Sequence, residues 1–140
     1  DGRKMSKSYD NSIYMSDKGE VLQQKVAAMF TDPQRQRRRD PGRPELCNVF
    51  TFHQLYTAEE KTREIEAECR QAGIGCTDCK KLLGANIRNA MQPLHDRQDH
   101  YRRHLQEVRD IIAAGDARAR GVAERTMVEV RKAMKISYGL

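Results

Sequence analysis

Residues 77–112 read TDCKKLLGANIRNAMQPLHDRQDHYRRHLQEVRDII, and their apolar positions recur with a helical period. Two interleaved series with seven-residue spacing are Ile87, Leu94, Tyr101 and Val108, and Met91, Leu105 and Ile112, the second of which is broken only by Gln98. This pattern predicts one long helix with a single apolar seam. Pro93 removes one hydrogen bond and should kink this helix, because the pattern resumes beyond it. We expect Gly115 to end it.

The remaining apolar patterns predict four shorter helices, and the fold class is therefore all-α, a helical bundle. The segments are 16–30, 44–55, 57–73 and 116–135. Thr57 and Glu60 form a capping-box pattern at the start of the third segment, and Gly73 should cap its end in the left-handed conformation. The residues expected to face inward are Val21, Leu22, Val26, Met29 and Phe30 in the first segment, and Val122, Ala123, Met127, Val130 and Met134 in the last.

Composition indicates a single helical domain with an anionic partner. The 140 residues carry a formal net charge of +6, and charged residues make up 33% of them against 6% aromatic residues. A basic surface suits nucleic acid, although many basic proteins bind none. The chain has no long apolar stretch and no signal-peptide pattern, so we expect a cytoplasmic protein without a membrane partner.

The four cysteines have the spacing C-x21-C-x6-C-x2-C. They are Cys47, Cys69, Cys76 and Cys79. A reducing cytosol disfavours disulfides, and a CxxC pair is typical of metal or redox sites. Cys69 should lie at the end of one predicted helix, and Cys76 and Cys79 at the start of the next. Metal binding at this point is therefore the leading interpretation, and free thiols the alternative.

Lys4 to Ser8 spell KMSKS, which resembles the mobile ATP-binding loop of class I aminoacyl-tRNA synthetases. Two ammonium groups three residues apart, with hydroxyls beside them, suit a triphosphate. Activation of an amino acid by ATP needs positioned positive charge more than covalent chemistry. A solvated basic loop would have the same composition. The surrounding sequence is therefore needed to distinguish an ATP-binding loop from such a loop.

Further motifs follow the loop in order, and together they resemble the C-terminal part of bacterial tryptophanyl-tRNA synthetases. They are DGRKMSKS at 1–8, TDP at 31–33, DPG at 40–42, VFTFH at 49–53, ECR at 68–70, GIGC at 73–76 and DCKKLL at 78–83. The resemblance covers essentially the whole chain. Tyrosyl-tRNA synthetases are the near alternative, and a non-catalytic, metal-stapled RNA-binding module is the alternative outside the enzymes.

The resemblance implies that Lys7 and Lys4 are catalytic and that ATP binds with magnesium. Lys7 would stabilise the activation transition state, with assistance from Lys4 at the phosphates. Met5 would lie against the nucleotide through its backbone, and Ser6 and Ser8 would donate hydrogen bonds to phosphate. The Rossmann-type catalytic domain, with the HIGH motif and the tryptophan pocket, would precede Asp1.

The resemblance also implies partners and a domain plan. Residues 1–32 would be the KMSKS loop and the tail of the catalytic domain, and residues 33–140 a helical domain that binds the tRNA anticodon. A homodimer specific for tryptophan tRNA is expected. Some members of the family carry a four-iron–four-sulfur cluster on a similar cysteine pattern, with a first gap one residue longer. Such a cluster is expected at the four cysteines, with zinc as the alternative.

Two further groups of residues are candidates for binding. Five arginines in the loop of residues 33–43 suit a tRNA backbone, and they are Arg35, Arg37, Arg38, Arg39 and Arg43. Three histidines, His95, His100 and His104, share a predicted helix. Without a carboxylate or cysteine to complete a metal site, we expect these to be exposed helix histidines. His53 should be packed and hydrogen-bonded.

Overall fold

A computed structural model of the chain describes residues 3–136, and these form helices and loops without a strand. The helices are α1 (Gly19–Ala27), α2 (Asn48–Tyr56), α3 (Glu59–Arg70), α4 (Cys76–Arg103) and α5 (Leu105–Ala133). Short 3₁₀ turns cover Lys7–Tyr9 and Pro44–Leu46. Asp1 and Gly2 of the DGRKMSKS motif lie outside the described residues. The all-α prediction is confirmed.

The chain divides into two compact units, residues 1–95 and 96–140. The first has an aliphatic core in which α1, α2 and α4 meet. Its fully buried members are Leu22, Val26, Val49, Leu83 and Ile87, with Phe52, Met91, Cys47 and Cys79 packed against them. His95 closes the α4 side, because its Nε2 lies 3.0 Å from the carbonyl oxygen of Met15. His95 is 4% exposed, so its predicted exposure was wrong.

The first unit contains the predicted helices, but their boundaries and one inward-facing residue differ from the prediction. α1 begins at Gly19 rather than Ser16, and Val21 points outward with 51% of its surface exposed. The predicted 44–55 helix is interrupted at Cys47, which is extended with φ −111° and ψ 112°. Cys47 is instead the N-cap residue of α2, and its carbonyl accepts the amides of Phe50 and Thr51 at 3.0 and 3.3 Å.

The predicted capping box at Thr57 was wrong. α3 has no side-chain cap bond, because the Thr57 hydroxyl is 2.8 Å from His53 Nδ1 and accepts a 2.7 Å bond from Asn86 Nδ2. The Thr57 hydroxyl, which would have capped α3, is bonded instead to side chains of α2 and α4. At the other end, Ala72 rather than Gly73 has the left-handed conformation (φ 58°), and the Gly73 amide bonds the Glu68 carbonyl at 2.7 Å.

In the second unit the helix break falls at His104 and not at Gly115. The backbone at His104 leaves the helical region (φ −122°, ψ 59°), and α5 then continues through Gly115. A glycine inside a helix costs only about 1 kcal/mol, so it need not end one. At the break, the ring of His104 donates from Nδ1 to the His100 carbonyl at 2.7 Å, which competes with the backbone ladder.

α5 buries none of its 29 residues within this chain. Val122, Met127 and Met134, which were predicted to face inward, are 55%, 44% and 62% exposed. Their helical spacing is as predicted, but no other described segment covers them. Within residues 3–136, no helix has both the length and the apolarity that crossing a bilayer requires.

Candidate functional site

The KMSKS segment folds into a compact turn stabilised by its own backbone. Ser6 caps the 3₁₀ turn, accepting a 3.2 Å bond from the Ser8 amide through its hydroxyl oxygen. Asp10, in the left-handed conformation (φ 49°), donates its amide to the Lys7 carbonyl at 3.2 Å. Lys4 and Lys7 are exposed, as are Met5 and Ser8. The lysine side chains are therefore accessible to an anionic ligand from solvent.

Asn11 closes this turn, and sequence reasoning missed it. Its Oδ1 accepts the Ser6 amide at 2.8 Å, and its Nδ2 reaches the Lys4 carbonyl at 3.5 Å. One side-chain amide thus holds both halves of the KMSKS segment. A pocket of about 220 Å³ lies beside the turn, and Met5 and Asn11 contribute to its lining. An Asn just beyond a Lys-Ser turn is the signal that could have identified this residue, since Asn side chains commonly bond nearby backbone.

The four predicted metal ligands lie at or beside the ends of three helices. Cys47 precedes α2, Cys69 is in the last turn of α3, and Cys76 and Cys79 are in the first turn of α4. The pKa of Cys79 is raised to about 12, first by burial and then by the charges of the other three thiols. Burial and two of the same neighbours also raise the pKa of Cys69. Ionisation of one of these thiols therefore opposes ionisation of the others, so four thiolates together need a bound cation or a nearby positive charge.

Arg35 lies against this cluster and lowers the pKa of both Cys69 and Cys79, in opposition to burial. Its Nη1 is 3.7 Å from the Cys69 sulfur, and its Nη2 donates to the Ile74 and Arg38 carbonyls at 2.7 and 2.9 Å. Arg35 Nε is buried without a hydrogen-bond partner. Buried donors are almost always paired. The donor placed at a sulfur is Nη1 rather than this unpaired Nε, and the guanidinium brings positive charge close to the Cys69 thiol.

Zinc and an iron–sulfur cluster require different distances between the cysteine sulfurs. No three of the four cysteine sulfurs lie within 4.8 Å of one another; among residues 3–136 the donors that do so are His100, His104 and Glu107. A single tetrahedral zinc, with Zn–S bonds near 2.3 Å, holds its sulfurs roughly 3.8 Å apart. In a cubane each thiolate binds a different iron, so a wider set is required. The four thiols as described do not have the spacing of a closed tetrahedral zinc site.

A chain of hydrogen bonds links Cys79 to His53 and Thr57. His53 is fully buried, and its Nε2 is 3.2 Å from the Cys79 carbonyl and 3.3 Å from the Cys79 sulfur. Burial lowers the pKa of His53, and the bond to the Cys79 carbonyl opposes this only in part. A neutral ring that donates from Nε2 and accepts the Thr57 hydroxyl at Nδ1 satisfies both contacts. The prediction of a packed, hydrogen-bonded His53 is confirmed.

Gly42 is required where the chain passes Cys69. A Cβ at Gly42 would stand 2.5 Å from the Cys69 sulfur, whereas one at Gly115 meets nothing within 4 Å. The Gly42 amide also donates to the Cys69 carbonyl at 2.9 Å. The backbone can approach the Cys69 sulfur this closely because Gly42 has no side chain.

Gly42→Ala should displace Cys69 and lower both the metal content and the stability of the chain. Forced overpacking of this kind costs about 1–3 kcal/mol. Gly115→Ala is the matched control, and it should leave metal content unchanged while raising stability by up to about 1 kcal/mol. Metal analysis and urea unfolding measure the two effects. Normal metal content in Gly42→Ala would show that the Cys69 position is not critical.

The five loop arginines have different surroundings. Arg43 forms a two-pronged pair with the buried carboxylate of Asp32, with contacts of 3.0 and 2.6 Å. The guanidinium holds the pKa of Asp32 well below its usual range, against the effect of burial. Arg35 is engaged at the cysteines, as described above. Arg37, Arg38 and Arg39 are exposed, and of the five they have the most accessible surface for a phosphate.

Comparisons with known proteins agree on one family. Residues 1–92 match the family model of tRNA synthetases class I (W and Y). The tryptophan–tRNA ligase of Aquifex aeolicus is 42% identical over 97% of this chain and 35% of its own length. That of Thermotoga maritima is 43% identical over 99% of this chain and 42% of its own length. The chain thus spans about a third to two-fifths of the length of these relatives.

Solved structures show the same fold. The tryptophanyl-tRNA synthetase of Campylobacter jejuni, crystallised with ADP and tryptophan, superimposes with a TM-score of 0.86 at 24% identity, over 96% of this chain and 42% of that one. A second structure of that protein gives a TM-score of 0.85. Since the family model matches well over half of the 140 residues, the chain belongs to the class I tRNA synthetases of the W and Y type.

Proposed function

We propose that this chain is the C-terminal portion of a tryptophan–tRNA ligase, which activates tryptophan with ATP and transfers it to its tRNA. The observation that carries the proposal is the 42–43% identity to two tryptophan–tRNA ligases across nearly the whole chain. The turn at residues 4–8 supports it, because both lysines of the segment are exposed on an ordered loop. Tryptophan and the remainder of the ATP site belong to the part of the enzyme that lies outside these residues.

The KMSKS turn would act on the triphosphate of ATP bound with magnesium. Attack of the tryptophan carboxylate on the α-phosphorus expels pyrophosphate, and negative charge builds on the leaving group. Lys7 would stabilise that charge in the transition state, and Lys4 would bind the phosphates. Ser6 and Ser8 would add hydroxyl donors, and the backbone at Met5 would contact the nucleotide. Lysine suits a loop that moves, because its point charge needs no fixed orientation.

The helical remainder, residues 33–140, would hold the tRNA near its anticodon. The net charge of +6 and the exposed arginines of the 33–43 loop support this role. We also propose that the enzyme is a cytoplasmic homodimer, as the resemblance implies. Residues 1–32 would then belong to the tail of the catalytic domain.

The four cysteines would hold a four-iron–four-sulfur cluster, with tetrahedral zinc as the alternative. The CxxC pair, the position of all four cysteines at the ends of α2, α3 and α4, and the Arg35 Nη1 at 3.7 Å from the Cys69 sulfur support a metal centre there. When bound, such a group would supply a covalent tie among the ends of α2, α3 and α4. The chain's own residues would position it: Gly42 leaves room for Cys69, and His53 fixes Cys79. The proposed role is structural.

Amino-acid preference is the direct test of the proposal, because the family model covers both tryptophan and tyrosine enzymes. The complete enzyme should catalyse pyrophosphate–ATP exchange with tryptophan and not with tyrosine. The 140-residue chain alone should show no exchange. Exchange with tyrosine alone would identify the sister enzyme, and no exchange by the complete protein with either amino acid would favour the non-catalytic RNA-binding module.

Substituting Arg37, Arg38 and Arg39 together by alanine should flatten the salt dependence of tRNA binding. Each lost phosphate contact lowers the slope of log K against log salt by about 0.7–0.9, so three contacts predict a change of about two to three. The same substitution of Arg118, Arg120 and Arg125 on α5, which is also part of the proposed tRNA-binding region, compares the contribution of that helix with the contribution of the loop. A slope equal to that of the unmodified enzyme would remove the loop from the interface.

A further inference from the structure

The break between α4 and α5 brings together three side chains that the sequence alone did not connect. One nitrogen each of His100 and His104 and a carboxylate oxygen of Glu107 all lie within 4.8 Å of one another. The expectation that no carboxylate completes the histidine pair was wrong. Glu107 is seven residues from His100, and it meets the ring because the chain leaves the helix at His104 and re-enters it at Leu105.

Hydrogen bonds within this triad orient the side chains toward one another. His100 Nε2 donates to Glu107 Oε2 at 2.7 Å, so the two groups face each other and a metal ion would take the place of the proton between them. His104 donates from Nδ1 to the His100 carbonyl at 2.7 Å, which leaves Nε2 with the lone pair. Metal-binding histidines almost always have their second nitrogen tied in this way, because the bond fixes the tautomer and the ring orientation.

The rings of His100 and His104 are also stacked, with centroids 4.3 Å apart and planes 24° from parallel. All three side chains are exposed, so small rotations can bring the donors from their present separations to the roughly 3.3 Å between ligands at metal–nitrogen distances near 2.0 Å. Arg102 and Arg103 lie between His100 and His104 in the sequence and oppose a cation, and the Asp99 carboxylate lies 4.0 Å from Arg102.

We propose that His100, His104 and Glu107 bind one divalent transition-metal ion of the zinc class. Two imidazoles and a carboxylate favour zinc, nickel or copper over magnesium or calcium, which prefer oxygen. The bound ion ties the last turn of α4 to the first turn of α5 across the single residue that separates them. The site is distinct from the four cysteines and independent of the proposed ligase function.

Cobalt tests the site because its spectrum reports the ligand type. Co²⁺ is added to the full chain whose cysteine centre is filled as purified. A single ion should bind with weak visible bands and without the intense near-ultraviolet charge transfer that thiolates produce, and Zn²⁺ should displace it. Slower hydrogen exchange at the amides of residues 104–108 should accompany binding, because the ion fixes the break.

Substitutions decide whether the triad is the site. His100→Ala, His104→Ala and Glu107→Gln should each weaken Co²⁺ binding at least about tenfold, since even a second-shell partner is worth about 10–100-fold. Glu129→Gln on α5 is the matched control and should bind as the parent does; circular dichroism verifies that each variant is helical. Unchanged binding in the three variants, or charge-transfer bands alone, would overturn the proposal. Binding that Glu107→Gln leaves unaffected would likewise overturn the three-ligand assignment.

Discussion

Replacing Lys7 by alanine in the complete enzyme should slow tryptophanyl-adenylate formation about 100–1000-fold, the usual cost of one lost electrostatic donor in a transition state. The side chain is exposed at the start of the 3₁₀ turn, so its removal should not disturb the fold. The loss should fall mainly on the rate constant of activation, because the charge that Lys7 meets develops on pyrophosphate as it leaves. Tryptophan-dependent pyrophosphate exchange, measured over a range of ATP concentrations, separates this from weaker ATP binding.

Two further variants make the Lys7 experiment specific. Lys81→Ala removes an exposed lysine from α4 and should leave exchange unchanged. Lys7→Arg keeps the charge but replaces a compact ammonium by a planar fork, and should restore only part of the rate. If Lys7→Ala exchanges at the parent rate, the catalytic role of the segment is wrong and the turn is a solvated basic loop.

Cys69→Ser should abolish the metal centre and strongly destabilise the first unit. Serine matches the shape of cysteine but does not supply the thiolate that binds the metal. Iron and sulfide, expected at about four of each per chain in the parent, should fall to essentially none. Structural zinc centres contribute about 10–16 kcal/mol of apparent binding free energy. The loss of even a fraction of this binding free energy should lower the unfolding temperature markedly.

The readout is visible absorption with iron, sulfide and zinc analysis on anaerobically purified protein, followed by thermal unfolding. Thr77→Ser, an exposed neighbour between Cys76 and Cys79, is the control and should retain the metal. A colourless parent with one zinc would keep the four-cysteine centre and exclude the cluster. A parent without either metal would leave the four residues as ordinary thiols, and Cys69→Ser would then have little effect.

Much of the site was predictable because its chemistry is local in sequence. A KMSKS segment carries two lysines wherever it folds, and a CxxC pair at a helix start brings two thiols to one side. Helical periodicity likewise predicted the buried Leu22, Val26 and Ile87, each at most 2% exposed. Asn11 and Gly42 were missed, and Arg35 was predicted to contact tRNA rather than Cys69, because these roles depend on which loop passes which side chain.

The sequence by itself determined the helical fold class, the lysine turn and the set of four thiols. Each follows from short-range periodicity or residue chemistry. Only the tertiary structure decided the break at His104, the pairing of His100 with Glu107, and the exposure of the apolar stripe on α5. Periodicity reports that a helix has an apolar face, but whether another segment covers that face depends on packing. Likewise, a helix ends where tertiary and side-chain contacts outweigh propensities of about 1 kcal/mol, as at His104 rather than Gly115.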